Sequence, residues 1–310
     1  MLLAKREAEI LSIINQKGGR TVRDLAAYFG VTEVTIRRDL RKLEYLNLLK
    51  RTHGGAISLE NGLDWTTLLP LNGDNTEADA DALILAPVPG RVAHTLRERA
   101  LRKRIPLIAE SLPQEDAIYL GANNYDAGYA LGIWTAQDFH QQAGERAVVL
   151  DVAQNDLANA RERSTGFVEG LRAVLHDDLR VYSVDGNGLY HDAYQVARDA
   201  LQLHPEINIL FGVNDDSVLA GIQAYADLDR DQGRLLAVNV GGEGKTIFDA
   251  LVQGGPLRAC AALFPDIVGR LAVDITMRLW HGDPVPEAII TPHRIVTASS
   301  LEDYYIRRGR

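Results

Sequence analysis

From residue 81 onward the chain alternates short apolar runs with segments of helical period, and this rhythm limits the fold more than any other feature. The runs are ALILAP (82–87), IPLIAE (105–110), AIYLG (117–121), AVVLD (147–151), RVYSV (180–184), NILFGV (208–213), RLLAVNV (234–240), RACAA (258–262) and EAIITP (287–292). Between them, helices are predicted over 91–104, 125–142, 161–175, 191–203, 216–228, 245–253 and 266–279. Strands that are apolar at every position have both faces covered. Strand–helix alternation covers them by laying helices on each side of a parallel sheet, so the predicted class is α/β. Ligands of such sheets collect beyond the carboxyl ends of the strands, which directs attention to the loops that follow them.

The first 57 residues read differently. They hold 11 Lys and Arg against 6 Asp and Glu, whereas residues 58–310 hold 22 against 36, within a total charge of −9 over 310 residues. A positive module can neutralise phosphates by counterion release; an acidic one is repelled by the same polyanion. In the head, Ile10, Leu11, Ile13 and Ile14 mark a first helix that stops at Gly18-Gly19. Thr21 is placed to cap a second helix with Leu25, Ala26 and Phe29 on one face, and Gly30 makes the corner after it. Thr32 is placed to cap a third helix, TEVTIRRDLRKLEYL, with Ile36, Leu40 and Leu43 inward and Arg37, Arg38, Arg41 and Lys42 outward. LLKRTHGGAI then predicts a hairpin or wing turning at Gly54-Gly55 and edged by Lys50, Arg51 and His53.

A basic helix face alone is most simply a solvated one. Two helices joined by a Gly corner, the second short, capped and cationic, form the arrangement that enters a major groove. Thr32, Thr35, Arg37, Arg38, Arg41, Lys42, Arg51 and His53 are the candidate DNA-binding residues, with Thr35 and Arg38 at base edges and Arg37, Arg41 and Lys42 on phosphates. The run TVRDLAAYFGVTEVTIRRDLRKLEYLNLLKRTHGGA resembles the winged helix-turn-helix of DeoR-type transcriptional regulators. That resemblance makes the third helix the recognition helix and double-stranded operator DNA the partner.

Polar clusters stand at the strand ends of the body: Glu110-Ser111, Asn123-Asn124-Tyr125-Asp126, Gln154-Asn155-Asp156 with Arg161 and Arg163, and Asn214-Asp215. Each has a plainer reading as a turn or a helix cap. Convergence from separate loops would make them a cleft for hydroxyl groups, and Asn124 is a candidate on that ground. The order of the pieces is similar to ribose-binding-protein and LacI-type effector domains, the two-lobed periplasmic-binding fold, carried by DALILAPV, IPLIAES, ARERSTGF and ILFGVNDDSVLAGI. By that resemblance Arg163, Asn214 and Glu110 face a sugar-like ligand. The chain departs from the pattern where Gly241-Gly242 stands in place of an Asp and where Leu263-Phe264 precedes Pro265. It also leaves only residues 58–81 for the opening strands and helices of the first lobe, which is therefore expected to be shortened, with LDWTTLLPL (63–71) available for one strand.

The expected organisation is a winged helix-turn-helix over 1–57, a linker or shortened start over 58–80 and a sugar-binding-like effector domain over 81–310. The expected protein is a DNA-binding regulator, a repressor in the mode usual for both resembled families, with a small sugar or polyol closing the lobes of a homodimer. The alternatives are an enzyme acting on a phosphosugar or nucleotide, and a regulator whose ligand site has degenerated. NVGGEGKT (239–246) fails as a phosphate loop because Asn239 stands where glycine is needed, and DLDRDQG (227–233) has its glycine one place late for calcium. The eight histidines lack metal-ligand spacing and the single cysteine, Cys260, fits a small buried position, so no cofactor, metal or catalytic residue is expected. MLLAKREAEI meets charge before a signal-peptide core can form, and no run is long enough to span a bilayer, so a cytoplasmic protein without membrane contact is expected.

Overall fold

The computed structural model describes residues 5–17, 19–45, 49–51, 54–58, 82–88, 90–142, 146–176 and 179–306. The chain divides into two units, Met1–Ala80 and Asp81–Arg310. His53 and LDWTTLLPL (63–71) lie outside the described residues, as do the side chains of Lys42 and Lys50.

In the first unit α1 (Lys5–Lys17), α2 (Val22–Phe29) and α3 (Glu33–Tyr45) enclose a small core in which Ile10, Ile14, Leu25, Ile36, Leu40, Leu43 and Leu49 are buried. The capping signals act as the sequence predicts. Thr21 Oγ1 accepts the Asp24 N–H at 3.0 Å, and Gly30, at φ 63°, returns its N–H to Ala26. Thr32 Oγ1 accepts the Thr35 N–H at 3.3 Å. Asp39 is buried, and Arg6 of α1 meets it at 2.6 Å, so the acidic residue of TIRRDL ties the third helix to the first. The wing corrects one expectation: Gly55 is not at the turn but opens β3 (Gly55–Ser58), which pairs with both β2 (Leu49–Arg51) and an unforeseen β1 (Gly19–Thr21). A Cβ at Gly55 would lie 2.1 Å from the Arg20 carbonyl oxygen, so the third strand closes only over a glycine.

The second unit holds two sheets. The larger has the order β13-β11-β10-β9-β7-β8, from β7 (Ala147–Ala153), β8 (Leu179–Asp185), β9 (Ile209–Gly212), β10 (Leu236–Gly241), β11 (Leu257–Ala262) and β13 (Arg294–Thr297). It is parallel except at β13, an antiparallel edge strand that lies in what the sequence reading left as tail. Alternate residues serve opposite faces. Val148, Leu150, Val152 and Leu210 pack with α7 (Tyr190–Leu203) and α8 (Asp215–Ala226); Val149, Ile209, Phe211 and Val238 pack with α5 (Asn124–Gln142) and α6 (Ala158–Leu175).

The smaller sheet has the order β12-β6-β5-β4, all parallel, from β4 (Leu83–Leu85), β5 (Leu107–Glu110), β6 (Ile118–Ala122) and β12 (Ala288–Thr291). Helix α4 (Gly90–Lys103) joins β4 to β5, α9 (Lys245–Val252) joins β10 to β11 of the larger sheet, and α10 (Pro265–His281) packs Ala272 and Ile275 on Ile108 and Leu120. The chain passes between the sheets near Asn123, Leu263 and Pro292. Among the described residues the first lobe has four strands; the segment 59–81, on which the expectation of a shortened lobe rests, lies outside them.

Candidate functional site

The outward face of α3 is the first candidate. Arg37, Arg38 and Arg41 are exposed and Thr35 is half-buried. The helix already engages some of them: Arg37 pairs with Glu33 at 3.0 Å, Arg41 Nε donates to the Arg37 carbonyl at 3.4 Å, and the Thr32 and Thr35 hydroxyls lie 3.0 Å apart. On the wing, Arg51 pairs with Glu44 at 3.2 Å, and its N–H also meets that carboxylate. Exposed pairs of this kind contribute about 0–1 kcal/mol, so a phosphate can displace the carboxylate at little cost. Arg38 and Arg41 have no carboxylate partner among the described residues. Val34, 73% exposed beside them, is an apolar side chain that the inward/outward reading of α3 left unassigned, and apolar contacts of that size suit a thymine methyl.

The second candidate lies at the carboxyl ends of the two sheets. Glu110 ends β5, and Ser111, at φ 56°, donates its hydroxyl to the Glu110 carboxylate. Burial raises the Glu110 carboxyl above its ordinary range against the pull of Ser111 and Arg163. Tyr119 of β6 donates to the Ala122 carbonyl at 2.7 Å, and burial, with the nearby Glu162 and Glu110 carboxylates, pushes its hydroxyl up to about 12. Asn124, buried at the start of α5, accepts from Arg163 Nε at 2.8 Å through its side-chain oxygen, and Arg163 also donates to the Val213 carbonyl at 3.2 Å.

The placement of Arg163 depends on how closely α5 and α6 cross. A Cβ on Gly128 would lie 2.2 Å from the Arg163 carbonyl oxygen, and a Cβ on Gly166 2.2 Å from that of Tyr125. Glycines four residues apart on both helices, Gly128 with Gly132 and Gly166 with Gly170, let the two backbones touch. Burial works against the charge of Arg163, while Glu243, Glu110, Asp215 and the Tyr119 hydroxyl work for it. The hydrogen bonds of the Arg163 guanidinium to Asn124 and Val213 go to neutral oxygens, while the carboxylates of Glu243, Glu110 and Asp215, which come from both sheets, favour its charge.

Of the four predicted ligand residues, Glu110, Asn124 and Arg163 come together as one polar cluster. Asn214 stands nearby with its amide engaged: its oxygen accepts the Ser217 N–H at 2.8 Å as the cap of α8, and its nitrogen donates to the Gly188 carbonyl at 2.9 Å. The neighbouring Asp215 does what the sequence did not predict. Its carboxylate accepts from Asn239 Nδ2 at 2.5 Å and from the backbone N–H groups of Gly242 and Glu243 at 2.7 Å each. Leu263 and Phe264, where a polar ligand residue was missed in the sequence, are buried core residues. Tyr119 and Glu243 are additions to the site, and the role of Asp215, already named in a strand-end cluster, appears only through bonds to residues distant in sequence.

Among the described residues no group of His, Cys, Asp and Glu is arranged to hold a metal ion, and no helix is long and apolar enough to cross a membrane. Cys260 is buried, and its thiol is pushed up by that burial.

Comparison with known proteins assigns both units. The DeoR-like helix-turn-helix domain matches residues 6–61, and the periplasmic binding protein domain matches residues 74–284. The uncharacterized HTH-type transcriptional regulator YulB of Bacillus subtilis (strain 168) is 48% identical over 60 residues, 19% of this chain and 23% of that one, so the chain spans less than a quarter of that relative's length. The ribose import binding protein RbsB of Escherichia coli (strain K12) is 24% identical over 216 residues, 68% of this chain and 70% of the relative. The crystal structure of an ABC transporter periplasmic solute binding protein from Actinobacillus succinogenes 130z with bound D-allose superimposes with a TM-score of 0.68 at 18% identity, over 77% of this chain and 86% of that one. The chain therefore belongs to the family of the periplasmic binding protein domain, with a DeoR-like helix-turn-helix domain at its N-terminal end.

Proposed function

We propose that this protein is a transcriptional regulator, a repressor, whose affinity for operator DNA is set by a small sugar or polyol bound between the two sheets. One observation carries the reading: the same chain joins a DeoR-like helix-turn-helix to a binding-protein fold in which Asn124 bonds both Arg163 and the Ser111 backbone beside Glu110. In this reading α3 enters the major groove, Arg38 and Thr35 meet base edges, and Arg37, Arg41, Lys42, Arg51 and His53 meet phosphates. Glu110, Asn124 and Arg163 meet ligand hydroxyls, and Asn214 holds the loop beside them. The protein acts as a cytoplasmic homodimer, because two heads are needed for two half-sites, and it releases its ligand unchanged.

Support for the ligand class comes from relatives of the second unit. The matched binding proteins are described as importing ribose or holding D-allose. A ligand switches such a regulator only if it binds one lobe arrangement better than the other, and a difference of about 1–3 kcal/mol alters DNA affinity roughly 5- to 150-fold. The test is a thermal-shift screen of the full chain against a library of free sugars, followed by fluorescence anisotropy on upstream DNA of the regulated operon. A sugar at about 100 times its Kd stabilises the protein by about 2.7 kcal/mol. Absence of any shift across the library removes the ligand from the reading, and catalytic turnover of a phosphosugar dependent on Glu110 or Arg163 replaces it with an enzyme.

A further inference from the structure

The segment Gly241-Gly242-Glu243 stands where the sequence departs from its resembled family, and the structure shows what the departure makes room for. Gly241 has φ 144° and Gly242 φ 70°, and a Cβ on Gly241 would lie 2.5 Å from an Asp215 carboxylate oxygen. The space an aspartate side chain would take at position 241 is thus already filled by a carboxylate from the start of α8. That carboxylate is fully engaged in holding the turn, since it accepts the N–H groups of both Gly242 and Glu243 and the Asn239 amide. From the other side Tyr305 donates its hydroxyl to the Gly242 carbonyl at 3.0 Å, and its ring packs on Phe248. The turn is pinned by groups far away in sequence, and the residue it presents is Glu243.

The side chain of Glu243 does not share in these bonds. It is exposed, and among the described residues its carboxylate has no hydrogen-bond donor. The backbone sets it beside the cluster, since the Glu243 N–H is held by Asp215 at 2.7 Å and Arg163 donates at 3.2 Å to the carbonyl of Val213, two residues before Asp215; the atoms packed around its turn raise its carboxyl, Asp215 and Glu110 add to this, and Arg163 opposes it. Glu110 reaches this neighbourhood from the smaller sheet, and Glu243 reaches it from the larger one.

We propose that Glu243 is a ligand-contacting, specificity-determining residue of the cleft, which with Glu110 selects a polyol bearing no negative charge, either neutral or amino-substituted. This inference rests on the cleft being a sugar site, as proposed above. Two carboxylates, one at a strand end of each sheet, accept hydroxyl or ammonium protons, and the single guanidinium of Arg163 donates to the ligand's oxygens. A phosphorylated or uronic sugar would bring a further anionic group to a site where Glu243, Glu110 and Asp215 already face one cation and charges are poorly screened.

The test uses the full chain, its E243Q and E243D variants, and isothermal titration with D-ribose, D-allose, D-galactose, D-glucosamine and glucose 6-phosphate. The wild type binds at least one of the neutral or amino sugars and ignores the phosphate. E243Q keeps the ligand-free melting temperature, since the side chain is exposed, but binds that sugar about 10- to 100-fold more weakly, the loss expected for one charged hydrogen bond. E243D retains the charge and loses less. Equal affinity of E243Q and wild type overturns the assignment of Glu243 while leaving the sugar site in place. Wild type that binds glucose 6-phosphate as well as the neutral sugars overturns the selection rule. Wild type that binds none of the five brings down the sugar-site reading itself, and this inference with it.

Discussion

The two sheets of the second unit are made from the same strand–helix repeat, yet they are finished to different degrees. In the larger sheet β7, β9 and β10 are buried along their whole length. In the smaller one Ile84 of β4 is 47% exposed and Ile290 of β12 61% exposed. Helices cover the larger sheet on both faces; in the smaller one Leu107, Ile108 and Ala109 of β5 are also buried, and the open positions lie on its two outer strands. One lobe is a scaffold that fixes Arg163 and the Asp215-pinned turn. The other is a shorter partner of four strands that presents Glu110 at the end of β5. Opening energies within one protein range from near zero to the global value, and poorly buried elements lie at the low end.

Truncation at the centre of the larger sheet has the largest expected effect. Phe211 is fully buried, with its ring 4.2 Å from that of Phe167, so Phe211→Ala lowers stability in urea unfolding by about 3–5 kcal/mol. Ile84→Ala in the smaller sheet lowers it by less than about 1 kcal/mol. Comparable losses at the two sites would erase the distinction between scaffold and partner.

The next effect concerns pH and again separates the sheets. Asp151 is buried in β7, where it accepts the Ser164 hydroxyl at 2.9 Å and the Ser183 hydroxyl at 3.0 Å; desolvation raises its carboxyl to about 6 from 3.8. The folded state therefore favours the proton. The stabilisation is complete below about pH 4 and is lost as pH rises through about 6, on the order of 3 kcal/mol in all. Asp151→Asn removes this slope, and denaturation midpoints of variant and wild type across pH 3.5–7.5 check it. Parallel pH curves would mean that Asp151 stays ionised in the fold.

Within the head, Arg38→Ala is expected to weaken specific DNA binding by about 1–3 kcal/mol, and Arg37→Ala, whose guanidinium already has Glu33, by less. Anisotropy titrations of both variants at two salt concentrations separate a base contact from a phosphate contact, because only the latter lowers the salt slope by about one. Equal losses with equal slopes would place both arginines on phosphates.

The sequence carried the parts of this structure that depend on local pattern. All the predicted strands of the second unit formed within a few residues of their expected bounds, because apolar runs flanked by helical period leave few other solutions. Thr21 and Gly30 capped α2 as read, since capping is a matter of neighbouring residues. What stayed hidden depends on tertiary partners. β1 and β13 are three- and four-residue strands defined only by the strands they pair with. The glycine interlock of α5 and α6 needs two helices placed side by side before its spacing means anything. Asn214, expected at the ligand, also caps α8, and its neighbour Asp215 holds a turn from 27 residues away. Glu243 follows a Gly-Gly pair that resembles a missing ligand group until the pinned turn is seen.

The central claim is that a small polyhydroxylated molecule in the cleft changes how the head holds DNA. Anisotropy of labelled upstream duplex, titrated with the full chain at fixed salt, with and without a sugar that shifts its melting temperature, tests this most directly. The account predicts specific binding over random duplex and a change of roughly 5- to 150-fold when the sugar is added. Identical curves with and without a sugar that demonstrably binds would contradict it.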